Sequence, residues 1–244
     1  MSKPPRFFIS PAQVQGSVIA VTGDDLRHIR TVLRKQPDDL LTLLDGQGME
    51  YTARIAEVRK DEIVTEIMGR TRRELPRPRI ILGQGLPKSD KMDWIVQKAT
   101  ELGAASIVPI VTERTVMKVR DEGKRMSRWE KIAREAAMQS NRPDIPEIGA
   151  VRTFNDFLGT LAPGPRSLRL IPWEEGTIPI KEVLRSQRTS EIIVVLIGPE
   201  GGVSRAEADL ARTQGFLPVS LGPTILRTET ASVAALSMIR YELS

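Results

Sequence analysis

Over the first 70 residues the apolar positions fall in short runs: FFI (7–9), VIAV (18–21), LLTLLD (40–45), YTARIAEV (51–58) and EIVTEIM (62–68). Turn signals such as DGQG (45–48) and RKDE (59–62) separate several of them, which predicts a small antiparallel barrel or sandwich. One helical patch interrupts the series, DDLRHIRTVLR (24–34), with Leu26, Ile29, Val32 and Leu33 at helical spacing on one face.

From residue 79 onwards the period changes, and strands alternate with helices. RIILGQGL (79–86), ASIVPIV (105–111), SLRLIPW (167–173), EIIVVLIG (191–198) and FLPVSLG (216–222) read as strands. Between them the pattern predicts helices over 89–103, 127–140, 178–186 and 205–214, and a last helix over 230–243. Gly103 and Gly215 sit just past two helix ends. Ser127/Glu130 and Ser204/Glu207 have the spacing of capping boxes. Such alternation implies an α/β fold with a mostly parallel sheet flanked by helices. The arginine- and proline-rich stretch RTRRELPRPR (70–79) is the natural boundary, dividing the chain into domains 1–72 and 73–244.

Composition narrows the function classes. The 244 residues are 40% hydrophobic, enough for a sizeable core. There is no cysteine, which excludes disulfides and thiolate metal sites, and no metal is expected. The opening MSKPPRFFIS lacks the apolar core of a secretion signal, and the most apolar run, IIVVLIG, is too short to span a bilayer. A soluble cytoplasmic protein with no membrane partner is expected. The net charge is +5, and residues 114–142 alone hold nine Lys/Arg against four acids. Residues 70–79 add five arginines against one acid. Clusters of this kind suit a polyanion, or form a solvated helix face and a charged linker; charge by itself leaves both open.

The candidate chemistry lies at strand ends. LIGPEGGVSRAEADLA (196–211) breaks from a strand into a glycine loop just before a helix N-terminus. In an open α/β sheet that is where ligands bind. The loop lacks the Gly-Lys-Ser/Thr of a phosphate loop, and Pro199 and Glu200 interrupt a dinucleotide fingerprint. A polar, uncharged or cationic ligand fits it; a tight turn with no ligand is the plainer alternative. A second Gly-Pro loop, LGPTILRTETA (221–231), and a third strand end, LIPWEEG (170–176), have the same character.

The paired loops LIGPEGGVSRAEADLA and LGPTILRTETASVAAL resemble the C-terminal signature of the RsmE family, ribosomal RNA uridine-N3 methyltransferases of the SPOUT superfamily. The resemblance continues through LGQGLPKSDKMDWIVQKATELG, PIVTERTV, RWEKIAREAAMQSNRPDIPEI and DDLRHIRTVLR, nearly the whole chain. It implies a PUA-like RNA-binding β-barrel, then a SPOUT domain whose parallel sheet carries a C-terminal trefoil knot. It further implies S-adenosylmethionine as cofactor, 16S rRNA, within the small ribosomal subunit, as substrate, and a homodimer. Rival expectations are a non-catalytic RNA-binding assembly factor and a SPOUT enzyme acting on another RNA.

On this resemblance the cofactor residues are Leu196, Ile197, Gly198, Glu200, Gly201 and Gly202 from the first loop. The second loop supplies Leu221, Gly222, Leu226, Arg227, Thr228, Thr230 and Ala231. Pro172 to Glu174 would close over the methionine end, although Trp173 reads more simply as core. Methylating N3 of uridine requires loss of its proton. Arg227 is the candidate to stabilise charge on a uracil oxygen, and Glu229 either accepts the proton or caps the last helix. His28, the single histidine, reads as structural or RNA-contacting rather than as the base. Arg6, Arg114, Gln139, Asn141 and Arg142 are the expected RNA contacts. With aromatics at 4% of residues, recognition by shape and charge is expected over base stacking.

Overall fold

The computed structural model describes residues 4–116, 121–161 and 166–243. The chain forms two compact units, Met1–Leu75 with Ala137–Ile145, and Pro76–Ala136 with Pro146–Ser244.

The first unit is a six-stranded sheet. Its strands are β1 (Arg6–Phe8), β2 (Val14–Gln15), β3 (Val18–Val21), β4 (Leu40–Leu44), β5 (Met49–Val58) and β6 (Ile63–Arg72), in the order β1-β4-β5-β6-β3-β2. Every pairing is antiparallel except β1 with β4. Period-two alternation sends Ile19 and Val21 of β3, and Tyr51, Ala53 and Ile55 of β5, into one core with Leu41, Leu43 and Ile63.

The short helix α1 (Gly23–Arg27) adds Leu26 to that core and the turn after it adds Ile29, but the expected four-residue apolar face does not persist. Val32 is 66% exposed and Leu33 36%. The backbone of His28–Val32 is a π-turn, in which Leu33 N–H bonds to His28 C=O. The i→i+5 bond widens the turn and rotates the following residues off the buried face. His28 itself meets the Phe7 ring edge-on, with centroids 5.7 Å apart.

The second unit is built on β7 (Arg79–Gly85), α2 (Lys91–Glu101), β8 (Ala104–Val111), α3 (Glu122–Gln139), β9 (Glu147–Ile148), β10 (Arg152–Thr153), α4 (Phe154–Gly159), β11 (Ser167–Pro172), β12 (Ile178–Pro179), α5 (Ile180–Ser186), β13 (Ile192–Ile197), α6 (Arg205–Thr213), β14 (Phe216–Ser220) and α7 (Thr228–Leu243). All strands pair in parallel, in the order β10-β8-β7-β13-β11-β14-β12, with β9 beside β8. The apolar run IIVVLI occupies an inner position as β13, where Ile193 to Ile197 are buried; a strand covered on both faces needs no polar alternation.

Of the two expected capping boxes, one forms. Ser204 Oγ accepts from Glu207 N–H at 3.3 Å, and Glu207 Oε2 accepts from Ser204 N–H at 3.0 Å, opening α6. Ser127/Glu130 falls inside α3, which begins at Glu122. Arg125 N–H bonds to Asp121 C=O at 3.2 Å, so the helical ladder starts before Ser127, and its spacing is simply that of two residues one turn apart. Ser204→Ala should lower unfolding free energy by about 1 kcal/mol in urea titration, whereas Ser127→Ala should be near neutral.

α3 ends in a Schellman motif. Asn141 has φ 57°, Asn141 N–H bonds to Met138 C=O, and Arg142 N–H bonds to Ala137 C=O. Asparagine tolerates that left-handed conformation better than most residues. Among the described residues, no helix is long and apolar enough to cross a membrane.

Candidate functional site

The carboxyl ends of β11, β13 and β14 open onto one cavity of about 520 Å³. β11 lies between β13 and β14, so the three strand ends picked out from sequence surround a single space. Its wall comprises Pro172 to Glu174, Ile197 to Val203, Ser220 to Thr228, Lys91 and Ala231.

A buried polar network holds the first and second loops together. Gln84, at the end of β7, is fully buried and donates through Nε2 to Thr228 Oγ1 at 2.9 Å. Thr228 Oγ1 donates in turn to Gly198 C=O at 2.6 Å. Ser232 Oγ lies against Gln84 Oε1 and 2.9 Å from Thr228 C=O. The first glycine loop, the start of α7 and the end of β7 are therefore bonded through side chains that water does not reach. In such surroundings an unmet donor or acceptor costs about 1–3 kcal/mol, which favours the closed arrangement.

The first loop is also held from outside. Arg114 Nη1 donates to Gly201 C=O at 2.8 Å, and Glu113 N–H donates to Glu207 Oε1 at 2.8 Å. Gly202 turns the loop with φ 70°, in the region glycine adopts freely. Glu200 accepts from Lys88 N–H at 3.1 Å and from Lys91 Nζ at 2.9 Å. Burial opposes its charge, but Lys91 and those N–H groups outweigh it and hold the carboxyl below its ordinary range. The Lys91 ammonium is raised, chiefly by its bond to Glu200. Lys91 Nζ also lies 3.5 Å from Glu229 Oε2, in the first turn of α7.

Of the expected cofactor residues, Ile197, Gly198, Glu200, Gly201, Gly202, Leu221, Gly222, Leu226, Arg227, Thr228 and Ala231 line the cavity. Leu196 is fully buried in the core of the unit, and Thr230 is exposed on α7; neither is on the wall. Trp173 is partly core, as its simpler reading had it, and partly cavity wall, with the Arg212 guanidinium 5.2 Å from its ring centroid.

Among the expected RNA contacts, Gln139 and Asn141 are exposed. Arg6 reaches Arg142 C=O at 3.3 Å and Glu50 Oε2 at 3.8 Å. A groove on the first unit is lined by Pro4, Arg6, Arg73, Met138 and Asn141. Arg142 differs from the rest. Its side chain is 6% exposed and grips Asp144 at 2.7 and 3.2 Å, so its guanidinium faces inward. Arg114 is likewise engaged, by the glycine loop. Lys118 and Arg120 of the basic stretch lie outside the described residues.

Sequence reading missed Gln84, Lys91 and Ser232. Gln84 carried a signal, as the polar residue near the carboxyl end of the otherwise apolar run RIILGQGL. Lys91 and Ser232 carried none, because their partners lie far away along the chain.

Residues 73–240 match the RNA methyltransferase domain family, and residues 21–68 match the RNA methyltransferase PUA domain family. The ribosomal RNA small subunit methyltransferase E of Bacillus subtilis is 33% identical over 97% of this chain and 96% of its own length. The protein of that name from Synechocystis is 35% identical, over 96% of this chain and 76% of its own. A crystal structure of ribosomal RNA small subunit methyltransferase E from Neisseria gonorrhoeae, bound to S-adenosyl methionine, matches with a TM-score of 0.86 at 31% identity. The match covers 98% of each chain.

Proposed function

The chain belongs to the ribosomal RNA small subunit methyltransferase E family, and from that premise we propose that it methylates N3 of a uridine in 16S rRNA using S-adenosylmethionine. One observation carries the assignment to this site: three strand-end loops, two of them glycine loops latched by Gln84 and Thr228, enclose a cavity with Arg227 on its wall.

The cavity suits the cofactor. Its volume lies in the range of small-molecule sites, and its wall is largely loop backbone with apolar side chains such as Ile197, Val203 and Leu226. Neither glycine loop holds a lysine that would call for a phosphate, and S-adenosylmethionine has none. When bound, the cofactor supplies an electrophilic methyl group on a sulfonium. Ile197–Gly202, Leu221–Thr228 and Ala231 would hold it, and the protein's remaining task is to bring uridine N3 into line and deal with its proton. Arg227 faces a uracil oxygen, where charge accumulates as the proton leaves. Glu229 accepts that proton at a carboxylate oxygen. The N3–methyl bond forms as the sulfur–methyl bond breaks, the bonding pair stays on sulfur, and the proton passes to solvent from Glu229.

The first unit, made of the proposed domain 1–72 together with Arg73–Leu75 and Ala137–Ile145, docks the RNA through Arg6, Gln139 and Asn141, with Arg73 on the groove that Arg6 and Asn141 line. Arg142 positions Asn141 from beneath, through Asp144, and Arg114 holds the cofactor loop near the substrate. The chain acts in the cytoplasm as a homodimer, on the assembled small subunit, with its C-terminal segment threaded as a trefoil knot. Dimerisation is supported by an apolar hollow of about 510 Å³ that includes Pro179, Ile180, Leu184, Met238 and the 89%-exposed Tyr241, and shares Ser220–Pro223 with the cofactor cavity.

The test is incubation with labelled S-adenosylmethionine and small subunits lacking the modification, followed by nucleoside digestion. Label in N3-methyluridine is expected. Label in a different nucleoside overturns the substrate atom, and absence of both label and cofactor binding overturns the methyltransferase reading.

A further inference from the structure

Glu229 stands in an unusual position for a carboxylate. Its Oε2 is sealed from solvent and accepts no hydrogen bond among the described residues. At 3.5 Å, Lys91 Nζ is within ion-pair reach of that oxygen but too far for a well-formed hydrogen bond. Lys91 makes its short contact with Glu200 instead, at 2.9 Å. One ammonium thus serves two carboxylates carried by different elements, the first glycine loop and the start of α7. Lys91 and Glu200 line the cavity, so the link from Glu200 to Glu229 starts at its wall. Lys91 is only a third exposed and Glu229 a fifth, so screening by water is incomplete.

We propose that Lys91 is a positioning residue for methyl transfer: anchored on Glu200 and within ion-pair reach of Glu229, it fixes where the Glu229 carboxylate sits at the start of α7. The inference rests on the reading of Glu229 as the proton acceptor. Without the ammonium, Glu229 Oε2 has no partner among the described residues to fix its rotamer. Glu200 supplies the second half of the device. Held by Lys88 N–H as well as Lys91, it fixes where the ammonium sits, so the positions of the glycine loop and of the Glu229 carboxylate depend on the same cation. Lys91 itself begins α2, so its backbone is set by a regular element rather than by a loop.

The experiment is a double-mutant cycle on single-turnover methyl transfer to unmodified small subunits, with cofactor Kd measured calorimetrically for each protein. Lys91→Met should slow transfer by about 10- to 30-fold, and the same change in a Glu229→Gln background should slow it by less than about threefold, because interacting residues are non-additive. Cofactor Kd should move much less than the rate, and Lys91→Arg should recover most of the lost rate. Equal losses from Lys91→Met in both backgrounds would overturn the proposal, since Lys91 would then act independently of Glu229. A loss confined to cofactor Kd would also overturn it, leaving Lys91 as a loop anchor only. Wild-type protein run alongside separates the two readings: N3-methyluridine from wild type preserves the function even if Lys91 proves inert.

Discussion

Arg227→Ala should lower the single-turnover rate of methyl transfer by about 10²–10³, the usual cost of removing one group that stabilises developing negative charge. The physical case starts with the backbone. Arg227 is the last residue before α7, and its C=O accepts from Ala231 N–H at 2.8 Å, so the helix fixes its Cα. Its side chain lines the cofactor cavity, and among the described residues no acid stands within ion-pair distance of the guanidinium. Two arginines that touch cavity-lining residues are committed elsewhere: Arg114 to Gly201, and Arg212 to Trp173 and Asp209. A guanidinium left without a carboxylate at the wall of a reaction cavity is available to the substrate. Loss of the N3 proton spreads charge onto the flanking uracil oxygens, where Arg227 would be felt far more strongly in the transition state than in the bound uridine. Rate should therefore fall while cofactor Kd changes little. Arg227→Lys should recover only part of the rate, since a planar fork and a point charge address an oxygen differently. If Arg227→Ala instead weakens cofactor binding and leaves the rate at saturation unchanged, Arg227 belongs to the cofactor and not to the chemistry.

The sequence disclosed elements whose cause is local. IIVVLI is continuous and β-branched, and it becomes an inner parallel strand. Ser204, just before α6, and Glu207, in its first turn, cap that helix, and Gly103 and Gly215 leave theirs with φ 83° and 80°. The glycine loops were visible for the same reason, because a strand ending in Gly-Pro before a helix is a statement about neighbours in sequence. What failed was decided at long range or by a backbone irregularity. The π-turn at His28–Val32 removed Val32 and Leu33 from an otherwise credible apolar stripe. Membership of Ala137–Ile145 in the first unit follows from packing of Ala137 against Phe8 and Leu44, which no composition shift announces. Gln84 and Ser232 meet across 148 positions, and Lys91 meets Glu229 from a similarly remote part of the sequence. Arg142 read as a surface charge because its partner Asp144, two residues away, gives no sequence sign that both turn inward.

Gly85→Val should all but abolish cofactor binding, weakening it by about 10² or more, the scale expected when reacting groups are displaced by roughly an ångström. A Cβ on Gly85 would lie 2.6 Å from both Cδ and N of Pro199 and 2.8 Å from Gly198 C. These are backbone and ring atoms of the first glycine loop, so no flexible side chain can swing aside. Nor can the loop retreat cheaply. Gly198 C=O is held by Thr228 Oγ1, Gly202 N–H bonds to Pro199 C=O at 2.9 Å, and Gly201 C=O is held by Arg114. Displacing Pro199 strains all three bonds, and overpacking of this kind typically costs 1–3 kcal/mol of stability in addition. β7 is paired on both sides, with β8 and β13, so its own backbone is the stiffer partner and the loop must give way. Gly159→Ala is the matched control, since a Cβ there meets nothing within 4 Å. Calorimetric titration with S-adenosylmethionine and a thermal melt on both variants decide the matter. Full binding by Gly85→Val would mean the loop is free to move and that the Gln84–Thr228–Gly198 latch does not govern the site. Lost binding with stability in the melt lowered by no more than about 1–3 kcal/mol would place the penalty in the cofactor loop and its three bonds, as the latch requires.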